Sequence, residues 1–131
     1  MTTVKGVTHI KDVGTVGIPV TDQDRAVEFY RDNLGFETRM DGSFGEGLRW
    51  IEMAPPGAST TIALVASAAG TPAGIDTGVR LTTEDAAADH AALRARGVDV
   101  DPEVIPYPVP MFTLRDPDAN QLYVVERPTG P

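Results

Sequence analysis

Residues 15–36 read TVGIPVTDQDRAVEFYRDNLGF, and residues 77–98 read TGVRLTTEDAAADHAALRARGV. Each parses as a strand, a turn, a helix, a glycine stop and the start of another strand. Laid over one another they align Thr15 with Thr77, Thr21 with Thr83, Asp22 with Glu84, Ala26 with Ala88 and Gly35 with Gly97. Identities are few, but the succession of residue classes recurs, which predicts two copies of one β-α-β unit. Within the first copy, Val16, Ile18 and Val20 share one strand face, and Val13, Thr15, Gly17 and Pro19 share the other. Thr21 is expected to cap a helix whose first turn holds Asp22 and Asp24. Ala26, Val27, Phe29, Tyr30 and Leu34 form its apolar stripe. Gly35 should end it in a left-handed conformation.

Working outward, Phe36–Met40 reads as a second strand, Asp41-Gly42 and Gly45–Gly47 as a flexible connection, and Leu48–Met53 as a third strand. Thr60–Ala66 is a fourth, after the Pro55-Pro56-Gly57 turn. Residues 67–76, SAAGTPAGID, read as a linker. The second copy continues with a helix over Glu84–Arg96, packed through Ala88, Ala91, Ala92, Leu93 and Ala95. Strands follow at Val98–Val104, Met111–Leu114 and Gln121–Glu126. A stiff loop, IPYPVP, spans 105–110, and Asp116–Asn120 supplies turn-forming residues. Thr3–Lys11 is either an edge strand or a loose arm. The expected organisation is a single domain over 1–131, with module one at about 13–66 and module two at about 77–127.

The chain has 131 residues, no cysteine and a net charge of −8. Disulfides and thiolate chemistry are excluded. The acidity argues against nucleic acid as a partner, because phosphates demand a basic face. It first suits solubility, and it is compatible with a cationic small ligand. No apolar run is long enough for a membrane span. The polar start MTTVKGVTHIKD does not read as a secretory signal, so the expected location is the cytoplasm.

Strand parity leaves one sheet face without a helix over it. That face carries Thr15, Gly17, Trp50, Glu52, Thr61, Ala63, Gly78, Arg80 and Tyr123. Small residues, aromatics and a few charges together suit the lining of a cleft.

The paired β-α-β-β-β units, the stretch VTDQDRAVEFYRDNLGFE and the turn-plus-strand RDPDANQLYVVE resemble the vicinal oxygen chelate superfamily. That superfamily includes glyoxalase I, bleomycin resistance proteins and extradiol dioxygenases. The resemblance implies an α+β fold of two β-α-β-β-β modules forming a curved mixed sheet around a cleft. It also implies a homodimer whose clefts draw on both chains. Its enzymes hold one divalent metal through His, Glu, His and Glu. Those positions fall here on Thr15, Ala63, Gly78 and Tyr123, residues that offer no adequate ligand set.

Of the two histidines, His9 lies upstream of the ligand position, and His90 sits mid-helix as a packing or solvated side chain. Glu52 and Arg80, both mid-strand on the open face, are candidates to take a proton or bind a charged group. Glu126, of opposite parity, reads as a surface residue. Trp50 and Tyr123, with Phe44, Tyr107 and Met111 nearby, could stack on a planar ligand, whereas Phe112 belongs to the core.

The expected function is a metal-free, cofactor-free small-molecule-binding protein similar to bleomycin resistance proteins, sequestering an aromatic, partly cationic natural product. Its ligand contacts would be Thr15, Trp50, Glu52, Thr61, Ala63, Arg80, Tyr107, Met111 and Tyr123. Two alternatives stand beside it. One is a glyoxalase-like metal-dependent lyase, isomerase or dioxygenase. The other is a metal-free enzyme with Glu52 as base.

Overall fold

The structure, a computed structural model, describes residues 6–127. Strand β1 (Thr15–Val20) leads into helix α1 (Gln23–Asp32), followed by β2 (Glu37–Ser43), β3 (Arg49–Ala54) and β4 (Thr61–Ala66). The pattern then repeats with β5 (Asp76–Thr83), α2 (Ala86–Ala95), β6 (Asp99–Val100), β7 (Met111–Arg115) and β8 (Gln121–Glu126). Each module forms its own mixed sheet. The orders, β1-β4-β3-β2 and β5-β8-β7-β6, are the same permutation of the chain. β1 runs parallel to β4 and β5 to β8, and the remaining pairs are antiparallel. No ladder joins the two sheets among the described residues. The duplication expected from residues 15–36 and 77–98 is therefore present in the topology, as two four-stranded mixed sheets of the same strand order.

Strand parity places the core. Ile18, Ile51, Met53 and Leu64 in the first sheet, and Phe112, Leu114 and Leu122 in the second, are all at most 1% exposed. With Ala26, Phe29 and Tyr30 of α1 and Leu93 of α2 they make one continuous apolar cluster across both modules. Gln23 ties α1 down by donating its side-chain amide to the carbonyls of Arg49 and Leu64. Gly35 and Gly97 end the two helices at φ +73° and +81°, the left-handed region where a side chain is costly.

A polar cluster joins the modules. The turn between β7 and β8 reaches from the second module into the first. The buried Asp116 carboxylate accepts from the Tyr30 hydroxyl at 2.9 Å, from Asn120 Nδ2 at 3.0 Å, and from the backbone N–H groups of Asp118 and Asn120. Asn120, fully buried, also donates to the carbonyl of Pro19 and accepts from the N–H groups of Gly74 and Ile75. Asp118 accepts from the Thr21 backbone and hydroxyl. Burial, and secondarily the neighbouring Asp116 charge, push the Tyr30 hydroxyl well above its ordinary pKa.

Several local expectations are corrected. Asp22, not Thr21, caps α1, accepting from the Arg25 N–H at 3.0 Å, while Thr21 is engaged by Asp118. Asp41 and Gly42 are not a connection but part of β2, held opposite β3 by the Arg49 guanidinium, which grips both Asp41 oxygens. Helix α2 starts at Ala86, two residues later than expected, behind an Asp85 cap. Ala86 and Leu93 are its buried residues, whereas Ala88, Ala91, Ala92 and Ala95 are exposed. Strand β6 shrinks to two residues, because Pro102 breaks the ladder soon after it. Glu126 is only partly exposed, and it accepts from the Ala86 N–H at the start of α2. Residues 6–14 form no strand, and the earlier part of the Thr3–Lys11 segment lies outside the described residues.

Candidate functional site

The face of the first sheet turned away from α1 carries one connected group of side chains. Trp50 and Glu52 lie two apart on β3 and so point the same way. The Trp50 indole N–H donates to Glu52 Oε2 at 2.7 Å. Across on β4, the Thr61 hydroxyl lies 2.9 Å from Glu52 Oε1 and 2.8 Å from the hydroxyl of Thr15 on β1, its register partner. Ala63 sits opposite Glu52 in the ladder and is fully buried, filling the floor beside the carboxylate. Thr15, Trp50 and Glu52 are each partly exposed. The result is an indole held by a carboxylate, whose other oxygen is held by the Thr61 hydroxyl, itself paired with that of Thr15.

The corresponding face of the second sheet carries a different group. The Arg80 guanidinium lies 4.6 Å from the Tyr123 ring centroid, a cation–π distance. It also donates to the Gly78 carbonyl at 2.8 Å. The Tyr123 hydroxyl donates to Asp76 at 2.5 Å. That bond pulls the Asp76 carboxyl below its usual range, assisted by the Gly78 N–H. The same bond pushes the Tyr123 hydroxyl up. Met111 is half-buried on β7, opposite Val125. Tyr107 stands apart, 82% exposed in the Pro-rich loop.

The structure thus gathers Thr15, Trp50, Glu52, Thr61 and Ala63 in one place and Arg80 and Tyr123 in another. No hydrogen bond or ion pair links Glu52 to Arg80 among the described residues. A groove of about 490 Å³ between the modules includes Thr61 and Arg80 in its lining, together with Val16, Met53, Val79 and Leu81. Asp76, which bonds the candidate residue Tyr123, falls at the end of the stretch that the sequence marks as a linker. Its only signal was its place one residue ahead of the repeated strand. His90 is a packing residue: its Nε2 bonds the Asp101 carbonyl at 2.6 Å and its ring meets Phe112 edge-on.

The metal positions of the fold do not fit a metal here. Thr15 is engaged by Thr61, Ala63 has no donor, and Tyr123 is engaged by Asp76. Gly78 adopts φ +70°, which a histidine in its place would adopt only with strain. Among the described residues no group of three or more His, Cys, Asp or Glu is placed to hold an ion. No helix of the structure is long and apolar enough to cross a membrane.

Comparison with known proteins agrees with this architecture. The model of the Glyoxalase/Bleomycin resistance protein/Dioxygenase superfamily matches residues 8–124. TnmS3, an antibiotic binding protein from Streptomyces sp. CB03234, superposes with a TM-score of 0.80 at 35% identity, covering 94% of this chain and 100% of that one. A superfamily member from Sphaerobacter thermophilus superposes with a TM-score of 0.84 at 34% identity, covering 92% and 100%. The uncharacterized protein YetH of Bacillus subtilis is 38% identical over 55 residues, which is 42% of this chain and 46% of YetH.

Proposed function

Since the chain belongs to the Glyoxalase/Bleomycin resistance protein/Dioxygenase superfamily, we propose that it is a metal-free binding protein that sequesters an aromatic natural product in the cytoplasm, conferring resistance to it. One observation carries this reading. The four positions where the superfamily's enzymes hold their metal carry Thr15, Ala63, Gly78 and Tyr123, and the same faces present a fixed indole and an Arg-stacked phenol. Such surfaces bind planar compounds by stacking and apolar burial, and the acidic chain favours a partly cationic one. Nothing is cleaved in this mechanism. Both Glu52 oxygens already have donors within the protein, which disfavours Glu52 as a free base. The likeness to TnmS3 supports the same direction.

The working form is a homodimer whose clefts draw on both chains. The placement of the two side-chain groups on unconnected sheets supports this. So does the exposure of Val7, Ile10, Val13, Ile105 and Tyr107, apolar side chains suited to a partner surface.

The test is elemental analysis of protein purified without chelator, paired with titration of planar aromatic natural products read by Trp50 fluorescence. The expected result is no stoichiometric metal, and a quenching ligand recovered chemically unchanged. Stoichiometric nickel, zinc, iron or manganese, or a ligand converted to product, overturns the proposal.

A further inference from the structure

The hydroxyl pair behind Trp50 has a direction, and that direction selects a ligand chemistry. The Thr61 hydroxyl has one proton and three acceptors in reach: Glu52 Oε1 at 2.9 Å, Thr15 Oγ1 at 2.8 Å and the Gly14 carbonyl at 3.4 Å. An ionised carboxylate only accepts, and hydrogen bonds to it are about twice as strong as neutral ones. The proton of Thr61 therefore goes to Glu52, whose other oxygen takes the Trp50 N–H. Thr61 then faces Thr15 with lone pairs. The Thr15 proton has two acceptors, Thr61 Oγ1 at 2.8 Å and the Thr61 carbonyl at 3.3 Å, and both are inside the protein. In either arrangement no proton of Thr15 points outward.

We propose that Thr15 is the specificity-determining contact of this face, presenting only lone pairs, so that the site selects an aromatic ligand that sets a hydroxyl or N–H donor against Thr15 Oγ. The proposal rests on the reading of this face as an aromatic-binding site and adds what that site recognises. An acceptor-only ligand meets lone pair against lone pair and leaves its own acceptor unserved. Glu52 sets the polarity from the far end of the chain. Glu52→Gln keeps an oxygen for Trp50 but turns an amide N–H toward Thr61. Thr61 must then accept it and donate to Thr15, which frees the Thr15 proton for a ligand.

The experiment uses two neutral planar probes at pH 7.5. Indole carries an N–H donor, and quinoline carries only an acceptor nitrogen. Each is titrated into nitrogen-15-labelled protein, following the resonance of the single Trp side chain, Trp50. Relative to Thr15→Val, in which neither probe meets a hydroxyl, the wild type is expected to favour indole over quinoline by about tenfold, the effect of one hydrogen bond of roughly 1.4 kcal/mol. Thr15→Ser should retain this preference, and Glu52→Gln should shift it toward quinoline. An indole-to-quinoline ratio that is the same in wild type, Thr15→Val and Glu52→Gln refutes the Thr15 assignment while leaving the aromatic face standing. If neither probe moves the Trp50 resonance at millimolar concentration, the aromatic site itself is refuted, and the proposal with it.

Discussion

Tyr30→Phe removes a single oxygen from the contact that joins the two modules. The Tyr30 hydroxyl is fully buried and donates to Asp116 Oδ2 at 2.9 Å. Phenylalanine preserves the ring, its edge-on packing with Phe29 and its tilt against Phe36. Only the hydrogen bond is lost, and a bond to a charged acceptor is worth roughly 1.5–3 kcal/mol. Asp116 keeps three other donors, so the lower end applies: about 1.5 kcal/mol, or a fall in Tm of about 6 °C for a chain of this size. The pH dependence supplies a sharper check. The folded state holds the Tyr30 proton well above the ordinary value of 10.0, whereas the unfolded chain releases it there. The contribution is fully present below pH 10 and is lost as pH rises through the folded value, because the unfolded state then binds fewer protons. The gap between wild type and Tyr30→Phe, measured by urea denaturation, should be constant from pH 7 to 9 and narrow above pH 10. A gap unchanged to pH 11, or a variant as stable as wild type at pH 7, would refute the assignment of Tyr30 as donor to a charged Asp116.

Asp116→Ala should cost more than 3 kcal/mol by the same assay, since it strands the buried Tyr30 hydroxyl and one N–H of the Asn120 amide along with two backbone donors. Ile51→Ala, at a fully buried site between sheet and helix, should cost about 2–5 kcal/mol without altering the Trp50 indole resonance. Gly35→Ala meets no atom within 4 Å, so its expected cost, roughly 1–2 kcal/mol, comes from φ +73° alone. Asp76→Asn removes the charge that favours the Tyr123 proton. Spectrophotometric titration should then show one of the three tyrosines ionising at lower pH than in wild type.

Much of the fold was legible because parity and repetition are local signals. Ile51 and Met53 announced one face of β3, Trp50 and Glu52 announced the other, and the repeat of residues 15–36 at 77–98 announced the second module. Less legible was anything decided by a distant partner. Asp41-Gly42 has turn chemistry, but the Arg49 guanidinium holds it in a strand. Thr21 is a good cap by type, but Asp118, far along the chain, takes its hydroxyl. The alanines of α2 suggested a packed stripe, yet Leu93, the one large apolar side chain of that helix, settles which way it faces. On the site face, parity brought Thr15, Trp50, Glu52 and Thr61 to one side. It could not say that they would bond to each other while Arg80 chose Tyr123. The turn 116–120 was read for its shape, and its role as the link between modules depends on a tyrosine in the opposite half of the chain.

That turn also separates covalent order from mechanical order. The peptide joining the modules, residues 67–75, makes little structure of its own beyond the bridge between Ala68 and Thr71. The grip between modules is made elsewhere, by the shared apolar core and by Asp116, Asp118 and Asn120 on Pro19, Thr21 and Tyr30. A chain nicked at Gly70, or one rewired so that module two is synthesised first, should therefore hold together as one body. Two halves made as separate polypeptides would carry matching ends of the same lock.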